Sequence, residues 1–553
     1  MRHNACMRAT MQDVSLSVAS IVRHGQQVFG DSQIITVGDG VAAGASNRRA
    51  SFADVAANAA RLAQGLRSLG VEGDQRVGTF MWNNQEHMEA YLAIPAMGAV
   101  LHTLNIRLFP EQVSYVATHA EDQVVIVDSS LIPLLARVIA EMPTVKTLVV
   151  CGDGDTAPLD GAGKDIVRYA DLLAAAGTAS YDWPDVDERS AAAMCYTSGT
   201  TGNPKGVAYS HRSMWLHSLA VSTDNAIALG FEDTGLVIVP QFHANAWGLP
   251  YAAFMAGADL VMPDRFLQAE PLVRAIEAEK PTFSGAVPTI WNDILHYLRA
   301  NPGHDISSIK RIVCGGSAVP RSLMEAFQND YDITILQGWG MTETSPLASI
   351  ARPPRGLSTE AAWDYRATAG RLLFGVEGRI VDDNGDVQQS DGKAVGEVEV
   401  RGPWVTAEYY KDNDPLKFDE GWLRTGDVGT IDPRGYITLT DRAKDVIKSG
   451  GEWISSVELE GTLMAHPKIR EAAVVGVPDE RWDERPLAAI VVKEGESLTA
   501  EELKAWLADR VVKWWIPERW TFIEEVPKTS VGKFDKKVIR KSYADGALDV
   551  ETL

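Results

Sequence analysis

The sequence predicts an α/β fold. It has a large N-terminal region of parallel α/β sheets with a β subdomain, then a smaller α+β region at the C-terminal end. Three observations lead there. Strand-like and helix-like segments alternate from about Ser51 to Gln337, as βαβ units require. After Gly370 the style changes to short alternating strands separated by turn sequences. Beyond about Asp441 strands and helices return on a smaller scale.

Phe52, Val55, Ala59, Leu62, Leu66 and Leu69 recur at steps of three and four, the apolar stripe of an amphipathic helix. Ser51 and Asp54 have the spacing of a capping box. Arg76–Met81 reads as a strand, Gln85–Met97 as a helix, Val124–Asp128 as a short buried strand, Leu131–Glu141 as a helix and Lys146–Cys151 as a strand. The cycle continues with strands at Leu236–Pro240 and Asp259–Met262, a helix at Glu270–Glu279, a strand at Thr282–Val287 and a helix at Thr289–Leu298. A strand at Arg311–Cys314, a helix at Arg321–Gln328 and a strand at Thr334–Gln337 follow. The turn sequences Asp382-Asp383-Asn384-Gly385 and Asp432-Pro433-Arg434-Gly435 mark 371–440 as an antiparallel β subdomain. The last region reads as strands Ala472–Val477 and Leu487–Val492, a helix Ala500–Val511 and a strand Trp520–Glu525. There is no internal repeat and no low-complexity linker.

Composition limits what this chain can be. With 45% hydrophobic and 23% charged residues in 553, wholesale disorder and fibrous repeats are excluded. The 52 basic and 74 acidic residues give a net charge of −22, which argues against a duplex nucleic-acid binder. A polyanionic ligand must therefore be met by local cations or backbone amides. Cys6, Cys151, Cys195 and Cys314 form no CxxC and no zinc spacing, so a reducing cytoplasm is expected. No apolar run approaches the ~18 residues of a membrane span, and the first dozen residues have no signal-peptide core.

The strongest chemical signal is Tyr196-Thr197-Ser198-Gly199-Thr200-Thr201-Gly202-Asn203-Pro204-Lys205-Gly206-Val207. Its hydroxyls and glycines let Oγ atoms and backbone N–H groups wrap phosphate oxygens, and Lys205 adds charge. It is no Walker A loop, because Gly rather than Ser or Thr follows the Lys. Three other patterns read as bland. Gly38-Asp39-Gly40 with Gly44 has GxGxxxG spacing and reads as a hairpin turn. Gly316-Ser317-Ala318 is no nucleophile elbow. His211 and His217 lack both metal spacing and a third ligand.

The phosphate string is the signature of the adenylate-forming superfamily, which includes acyl-CoA synthetases, luciferases and adenylation domains. Companion motifs follow in the family's order: Gln241-Phe242-His243, Gly315-Gly316-Ser317-Ala318, Gln337-Gly338-Trp339-Gly340-Met341-Thr342-Glu343-Thr344, Arg424-Thr425-Gly426-Asp427, Asp441-Arg442-Ala443-Lys444-Asp445, Ser449-Gly450-Gly451-Glu452 and Pro527-Lys528-Thr529-Ser530-Val531-Gly532-Lys533. The chain thus resembles that superfamily over nearly its whole length. The resemblance implies a 1–440 adenylate-forming domain with the ATP, Mg2+ and acyl sites. It also implies a mobile 441–553 domain with the catalytic Lys and a loop facing CoA.

Site roles follow by the same resemblance. Thr197, Ser198, Gly199, Thr200, Thr201, Gly202 and Lys205 would bind the ATP phosphates. Gly316, Ser317, Ala318, Gln337, Gly338, Trp339, Gly340, Thr342, Asp427 and Arg442 would complete the ATP/AMP site. Trp339 resembles the aromatic that stacks on adenine, where the family more often has Tyr, and Asp427 the carboxylate that accepts the ribose hydroxyls. Glu343 with Thr197 would hold Mg2+, a hard cation suited to few protein oxygens plus phosphates. Lys533 would bridge the substrate carboxylate and the α-phosphate, with His243, Thr342 and Glu343 also at the reacting centre. Lys444 is the expected hinge. Lys448, Gly450, Gly451 and Trp453 would serve the CoA step, and the basic run Lys528, Lys533, Lys536, Lys537, Arg540 and Lys541 suits CoA phosphates, against the bland reading of a solvated helix face.

Amino-acid-activating relatives carry an Asp just after the Phe242 motif. Here His243-Ala244-Asn245-Ala246-Trp247-Gly248-Leu249-Pro250 contains no acid, and a buried substrate ammonium without a partner is costly. Ala246, Leu249, Ala252, Phe254 and Met255 fit either a core helix or a pocket wall. The runs Pro240–Trp247, Leu101–Leu108 and Ile447–Ser456 resemble medium- and long-chain fatty acyl-CoA synthetases, in which a Trp at the place of Trp247, beside His243, gates an acyl tunnel. The implied substrates are a fatty acid, ATP and CoA, with no nucleic acid, at most peripheral membrane contact and room for a homodimer. Alternatives are a ligase for an aromatic or short-chain acid or for a carrier protein, although the sequence ends too soon after Lys541 for a fused carrier. A luciferase-type oxygenase and a non-catalytic nucleotide sensor are weaker readings.

Overall fold

The computed structural model describes residues 9–38, 47–177, 179–197, 203–382, 384–412, 414–442, 445–449, 452–529 and 534–553, without the side chains of 441–442 and 452–453. Three sheets organise the chain. The first runs in the order Asp165–Arg168, Thr147–Cys151, Asp122–Asp128, Arg76–Phe80, Val100–Thr103, Ala191–Tyr196, Gly206–Ser210. Only the last pairing is antiparallel.

The parallel strands of the large sheet are Thr334–Gly340, Arg311–Gly315, Phe283–Ala286, Thr234–Val237, Asp259–Met262 and Gln33–Thr36, in that order. Arg48–Ser51 closes one edge as an antiparallel hairpin partner of Gln33–Thr36. Those strands flank the GxGxxxG pattern read as a turn, whose residues 39–46 lie outside the described residues. The expected β subdomain is not a separate sheet. Its antiparallel strands join the parallel ones through Leu347–Ile350 and Gly370–Leu372. That junction requires glycine at 370: its φ is +100°, and a Cβ there would lie 2.1 Å from the carbonyl carbon of Ile350.

Helices Val18–Val28, Phe52–Ser68, Gln85–Ala96, His211–Val221 and Leu249–Ala256 pack on one another. Their core side chains form one cluster with Val77 and Leu101 of the first sheet and Val237 and Leu260 of the large one. Phe52 begins its helix behind a formed Ser51–Asp54 capping box. Every residue from His87 to Ala96 is buried, as expected of a helix covered on all sides. The single helix expected at Leu131–Glu141 is broken into Ser129–Leu131, Ile132–Leu135 and Ile139–Glu141 turns. Pro143 disfavours the helical region for Met142, which stands outside it at φ −107°, ψ 78°.

The third sheet lies in the C-terminal region, where a long hairpin pairs Ile469–Asp479 with Asp483–Val492. Arg519–Phe522 lies parallel to the second of these, and is shorter than the Trp520–Glu525 strand expected. Tyr436–Arg442 still belongs to the large sheet, and the third sheet starts at Ile447.

Glu89 gives this core a measurable pH signature. It is 1% exposed and accepts from Tyr169 Oη at 2.5 Å, Gln85 Nε2 at 2.8 Å and Asn58 Nδ2 at 2.8 Å. Burial outweighs these bonds and pushes its carboxyl up to about 7 from 4.5. The folded chain therefore holds a proton that the unfolded chain releases between those values, so stability falls as pH rises across that window. Glu89→Gln is expected to remove about 3 kcal/mol of that fall. Asp128, also pushed to about 7 by burial, keeps part of the slope. Urea unfolding of both proteins from pH 4 to 8 checks this, and equal slopes would refute it.

Candidate functional site

A cavity of about 2170 Å3 opens beyond the carboxyl ends of the large sheet's parallel strands, where open α/β sheets bind ligands. Its far wall comes from the C-terminal region, including Glu458, Glu460, Thr529, Phe534 and Lys536.

At one end, strand Ala191–Tyr196 delivers Thr197 into the cavity. The Thr197 N–H donates to Lys205 O at 2.9 Å, and the Lys205 N–H donates to Thr197 Oγ1 at 3.0 Å. These two bonds pin the base of the phosphate loop. Ser198, Gly199, Thr200, Thr201 and Gly202 lie outside the described residues. Lys205 Nζ pairs with Asp414 at 2.5 Å and Asp412 at 3.4 Å. Burial opposes its charge, but the two carboxylates outweigh burial and raise its pKa. A phosphate oxygen approaching Lys205 competes with Asp414.

Glu343 sits in the Thr342–Thr344 turn, 6% exposed, and accepts from Tyr409 Oη at 2.7 Å. Tyr209 Oη donates to the Thr342 carbonyl at 2.7 Å and fixes the turn from below. Glu343 and Thr197 both line the cavity, and no cluster of three His, Cys, Asp or Glu ligands exists among the described residues. That donor set fits a Mg2+ that takes its remaining ligands from phosphates and water.

Trp339 and Asp427, assigned above to adenine and ribose, touch each other: Trp339 Nε1 donates to Asp427 Oδ2 at 2.8 Å. Asp427 stands opposite Arg442 in the strand pairing, and the Arg442 side chain lies outside the described residues. Gly338, Gly340 and the Gly316–Ala318 turn also line the cavity. Gln337 spends its amide on the chain, accepting from Val319 N at 2.6 Å and donating to Thr368 O at 2.7 Å. It holds the Gly316–Ala318 turn in place.

His243 and Trp247 line the same cavity. Between them the chain makes a left-handed turn: Ala244, Asn245, Ala246 and Trp247 have φ of 43°, 50°, 48° and 57°. Such a conformation costs non-glycine residues about 1–2 kcal/mol each, so the surroundings must hold it. Asn83 does so upstream, donating to Val237 O and Val239 O at 2.8 Å each and accepting from Gln241 N at 2.8 Å. Cys195, one residue from the phosphate loop, donates its thiol to Asn245 Oδ1 at 3.2 Å. The Trp247 ring lies 3.5 Å from where a Cβ on Gly285 would stand and 3.8 Å from one on Gly315. The indole thus fills space that two glycines leave at the strand ends. Asn83, Cys195 and Tyr409 were not legible as site residues in the sequence. Their one local signal is position, Asn83 and Cys195 at the carboxyl ends of strands.

The apolar residues after Trp247 are core. Leu249, Ala252 and Phe254 are buried, and Phe254 stacks on Phe52 with centroids 4.0 Å apart. His217 and His211 are structural: burial depresses their pKa to about 3 and about 4. His217 Nε2 accepts from Leu347 N at 3.1 Å, and His211 Nδ1 from Val18 N at 3.3 Å.

Lys533, Lys444, Gly450 and Gly451 lie outside the described residues, as does the Trp453 side chain. Thr529 and Phe534 on either side of the Lys533 segment line the cavity. Lys448 lies on the Ile447–Ser449 strand, and its N–H donates to Glu484 Oε2 at 3.0 Å. The basic run expected to meet CoA phosphates is largely neutralised by the protein itself. Lys528 pairs with Glu471 at 2.7 Å, Lys536 with Glu460 at 2.8 Å, Arg540 with Asp445 at 2.8 Å, and Lys541 with Asp545. The sequence run hid the first three pairs because Glu471, Glu460 and Asp445 come from other segments, while Asp545 is four residues from Lys541.

Comparison with known proteins matches this architecture. The model of the AMP-binding enzyme family matches residues 31–410, and that of the AMP-binding enzyme C-terminal domain matches residues 458–533. The chain is 42% identical over 542 residues to a 3-methylmercaptopropionyl-CoA ligase of Ruegeria pomeroyi, covering 98% of this chain and 99% of that one. It is 40% identical over 545 residues to a medium-chain-fatty-acid–CoA ligase of Ectopseudomonas oleovorans, with 98% of each covered. The solved anthranilate CoA ligase AuaEII, in complex with anthranoyl-AMP, superposes with a TM-score of 0.87 at 25% identity, covering 98% of this chain and all of that one, 100%.

Proposed function

The chain belongs to the AMP-binding enzyme family and is an AMP-forming acyl-CoA ligase, and on that premise we propose that its acid is an apolar aliphatic carboxylate without an α-amine, a fatty acid of short to medium length. The observation that carries this is the seat of Trp247. Its ring closes the cavity over Gly285 and Gly315, in a segment that offers a substrate ammonium no carboxylate. A second reading, a short thioether acid, is favoured by the 42% identity to the 3-methylmercaptopropionyl-CoA ligase. A thioether sulfur is soft and nearly apolar, so the same wall suits both.

In the first step a carboxylate oxygen attacks the α-phosphorus of ATP, and pyrophosphate leaves. The Thr197–Lys205 segment orients the phosphates, Trp339 and Asp427 take the nucleoside, and His243 stands where the carboxylate meets the α-phosphate. Glu343 and Thr197 would hold a Mg2+, which supplies charge neutralisation on the phosphate oxygens. Lys533 adds positive charge where negative charge builds up in the pentavalent state. In the second step the CoA thiolate attacks the acyl carbon and AMP leaves.

The test is AMP release with CoA over linear acids from C2 to C20, 3-methylmercaptopropionate and benzoate. A maximum among short to medium linear acids or the thioether acid is expected; a preference for benzoate or an amino acid would overturn the reading. Trp247→Ala should move the optimum to longer acids by several carbons while leaving the KM for ATP within about twofold. An unchanged profile would reduce Trp247 to a packing residue.

A further inference from the structure

We infer that the cleft between the Pro288–Ala300 helix and the C-terminal region holds a second anion site, distinct from the Thr197–Lys205 loop, that takes a phosphoryl group. His296 and Arg299 of that helix line the same cavity as His466, Arg470, Lys493 and Arg510 of the C-terminal region. These residues come from segments far apart in sequence, in a protein of net charge −22, where cations facing one another are an arrangement to be explained.

The partners of these cations set them apart. Lys528, Lys536, Arg540 and Arg519 each hold a carboxylate. Arg470 instead donates to Glu524 O at 3.0 Å, Lys493 to Pro467 O at 2.6 Å and Arg510 to Trp506 O at 2.8 Å. Backbone carbonyls position a cation without neutralising it. Among the described residues none of these three has a carboxylate within ion-pair distance. Arg299 is paired with Asp330 at 2.8 Å, Glu471 is taken by Lys528, and Asp293 is the other acid on this stretch of wall.

Two imidazoles report the resulting field. His296 is held below its usual pKa by burial first, then by the charges of Lys493, Arg299 and Arg470. His466 is held down by burial, then by Lys468, Arg510 and Lys493, against Glu502. His466 Nδ1 accepts from Lys468 N at 3.2 Å, which leaves Nε2–H as a donor in the neutral ring. Like charges on two facing walls repel, and a bridging anion with several acceptor oxygens removes that repulsion. Trp515 lines the same cavity, and its indole offers a flat surface for a base.

Two sources of a phosphoryl group fit: the phosphorylated nucleotide head of CoA, and the pyrophosphate that leaves in the first step. The inference rests on the proposed ligase activity only for that choice. Calorimetric titration of the full chain with adenosine 3′,5′-bisphosphate, pyrophosphate and inorganic phosphate separates them. The variants are Arg470→Gln/Lys493→Gln and, as a second charge removal, Arg510→Gln. Lys205→Ala controls for the phosphate loop, and thermal melting checks the fold of each. A loss of at least about tenfold in affinity in both cluster variants, larger than any loss in Lys205→Ala, is expected for one probe. If that probe is the bisphosphate, the head of CoA is the source; if pyrophosphate, the leaving group is. If neither probe, nor inorganic phosphate, binds in a way that depends on the cluster, the site does not exist. Cluster-dependent binding in a protein that makes no acyl-CoA would overturn the ligase reading and leave the anion site standing.

Discussion

Glu343→Ala is expected to lose acyl-adenylate formation by at least about 10², or about 2.7 kcal/mol of transition-state stabilisation. Glu343 is the one carboxylate of its turn, lines the same cavity as Thr197, and is 6% exposed. Removing it would take away the anionic oxygen proposed for Mg2+ and leaves Tyr409 Oη without the acceptor it holds at 2.7 Å. A second variant separates those effects. Glu343→Gln keeps an oxygen for Tyr409 but not the charge, so it should melt within about 2 °C of the parent and still lose most adenylation. Pyrophosphate release at saturating Mg2+ reads both variants. Near-parental release by Glu343→Gln would remove Glu343 from the metal site and leave it a partner of Tyr409.

The second large effect concerns the C-terminal region. Lys533→Ala is expected to cut adenylation by about 10² or more, yet to convert supplied acyl-adenylate and CoA into acyl-CoA at a rate near the parent's. The cation is needed only while charge builds up on the α-phosphate. Gly451→Leu should do the reverse, because a side chain would block the close approach of backbone to the pantetheine arm that glycine permits. Lys444→Pro should slow the second half-reaction by stiffening the link on which the two arrangements alternate. Thr529 and Phe534 border the cavity. Assaying the two half-reactions separately in all three variants decides the matter. Equal damage to both halves by Lys533→Ala and by Gly451→Leu would favour a single fixed site over alternation.

Local signals in the sequence carried further than distant ones. The Phe52–Ser68 helix was legible because its apolar stripe and its capping box lie within one segment. The parallel strands of the large sheet were legible as short apolar runs between helical patterns, although not their order. The β subdomain was legible as antiparallel from its turn sequences, but not its continuity with the parallel strands, which runs through Leu347–Ile350 and Gly370–Leu372. At the site, Thr197, Lys205, Glu343, Trp339 and Asp427 were named from motifs, and the fold brings all five to one cavity. What each of them touches was not legible. Lys205 is held by Asp414, Trp339 by Asp427 and Glu343 by Tyr409, partners 209, 88 and 66 residues away.

By itself the sequence determined the fold class, the glycine- and hydroxyl-rich string that marks the family and the lack of an acidic partner for an amine. Each of these is a property of a short stretch, set by periodicity, by glycine and hydroxyl content, or by the absence of one residue type. Only the tertiary structure decided the left-handed turn that carries Trp247. Four non-glycine residues take that shape because Asn83, just after one strand, holds the chain before the turn and Cys195, in another, holds Asn245 within it. The tertiary structure also decided which cations are spent. Lys528, Lys536, Arg540 and Lys541 looked available and are paired with Glu471, Glu460, Asp445 and Asp545. Arg470, Lys493 and Arg510 looked ordinary and keep their charge. The physical reason is that a charge is neutralised within a few ångströms, and which groups come that close is set by the packing of segments far apart in the chain.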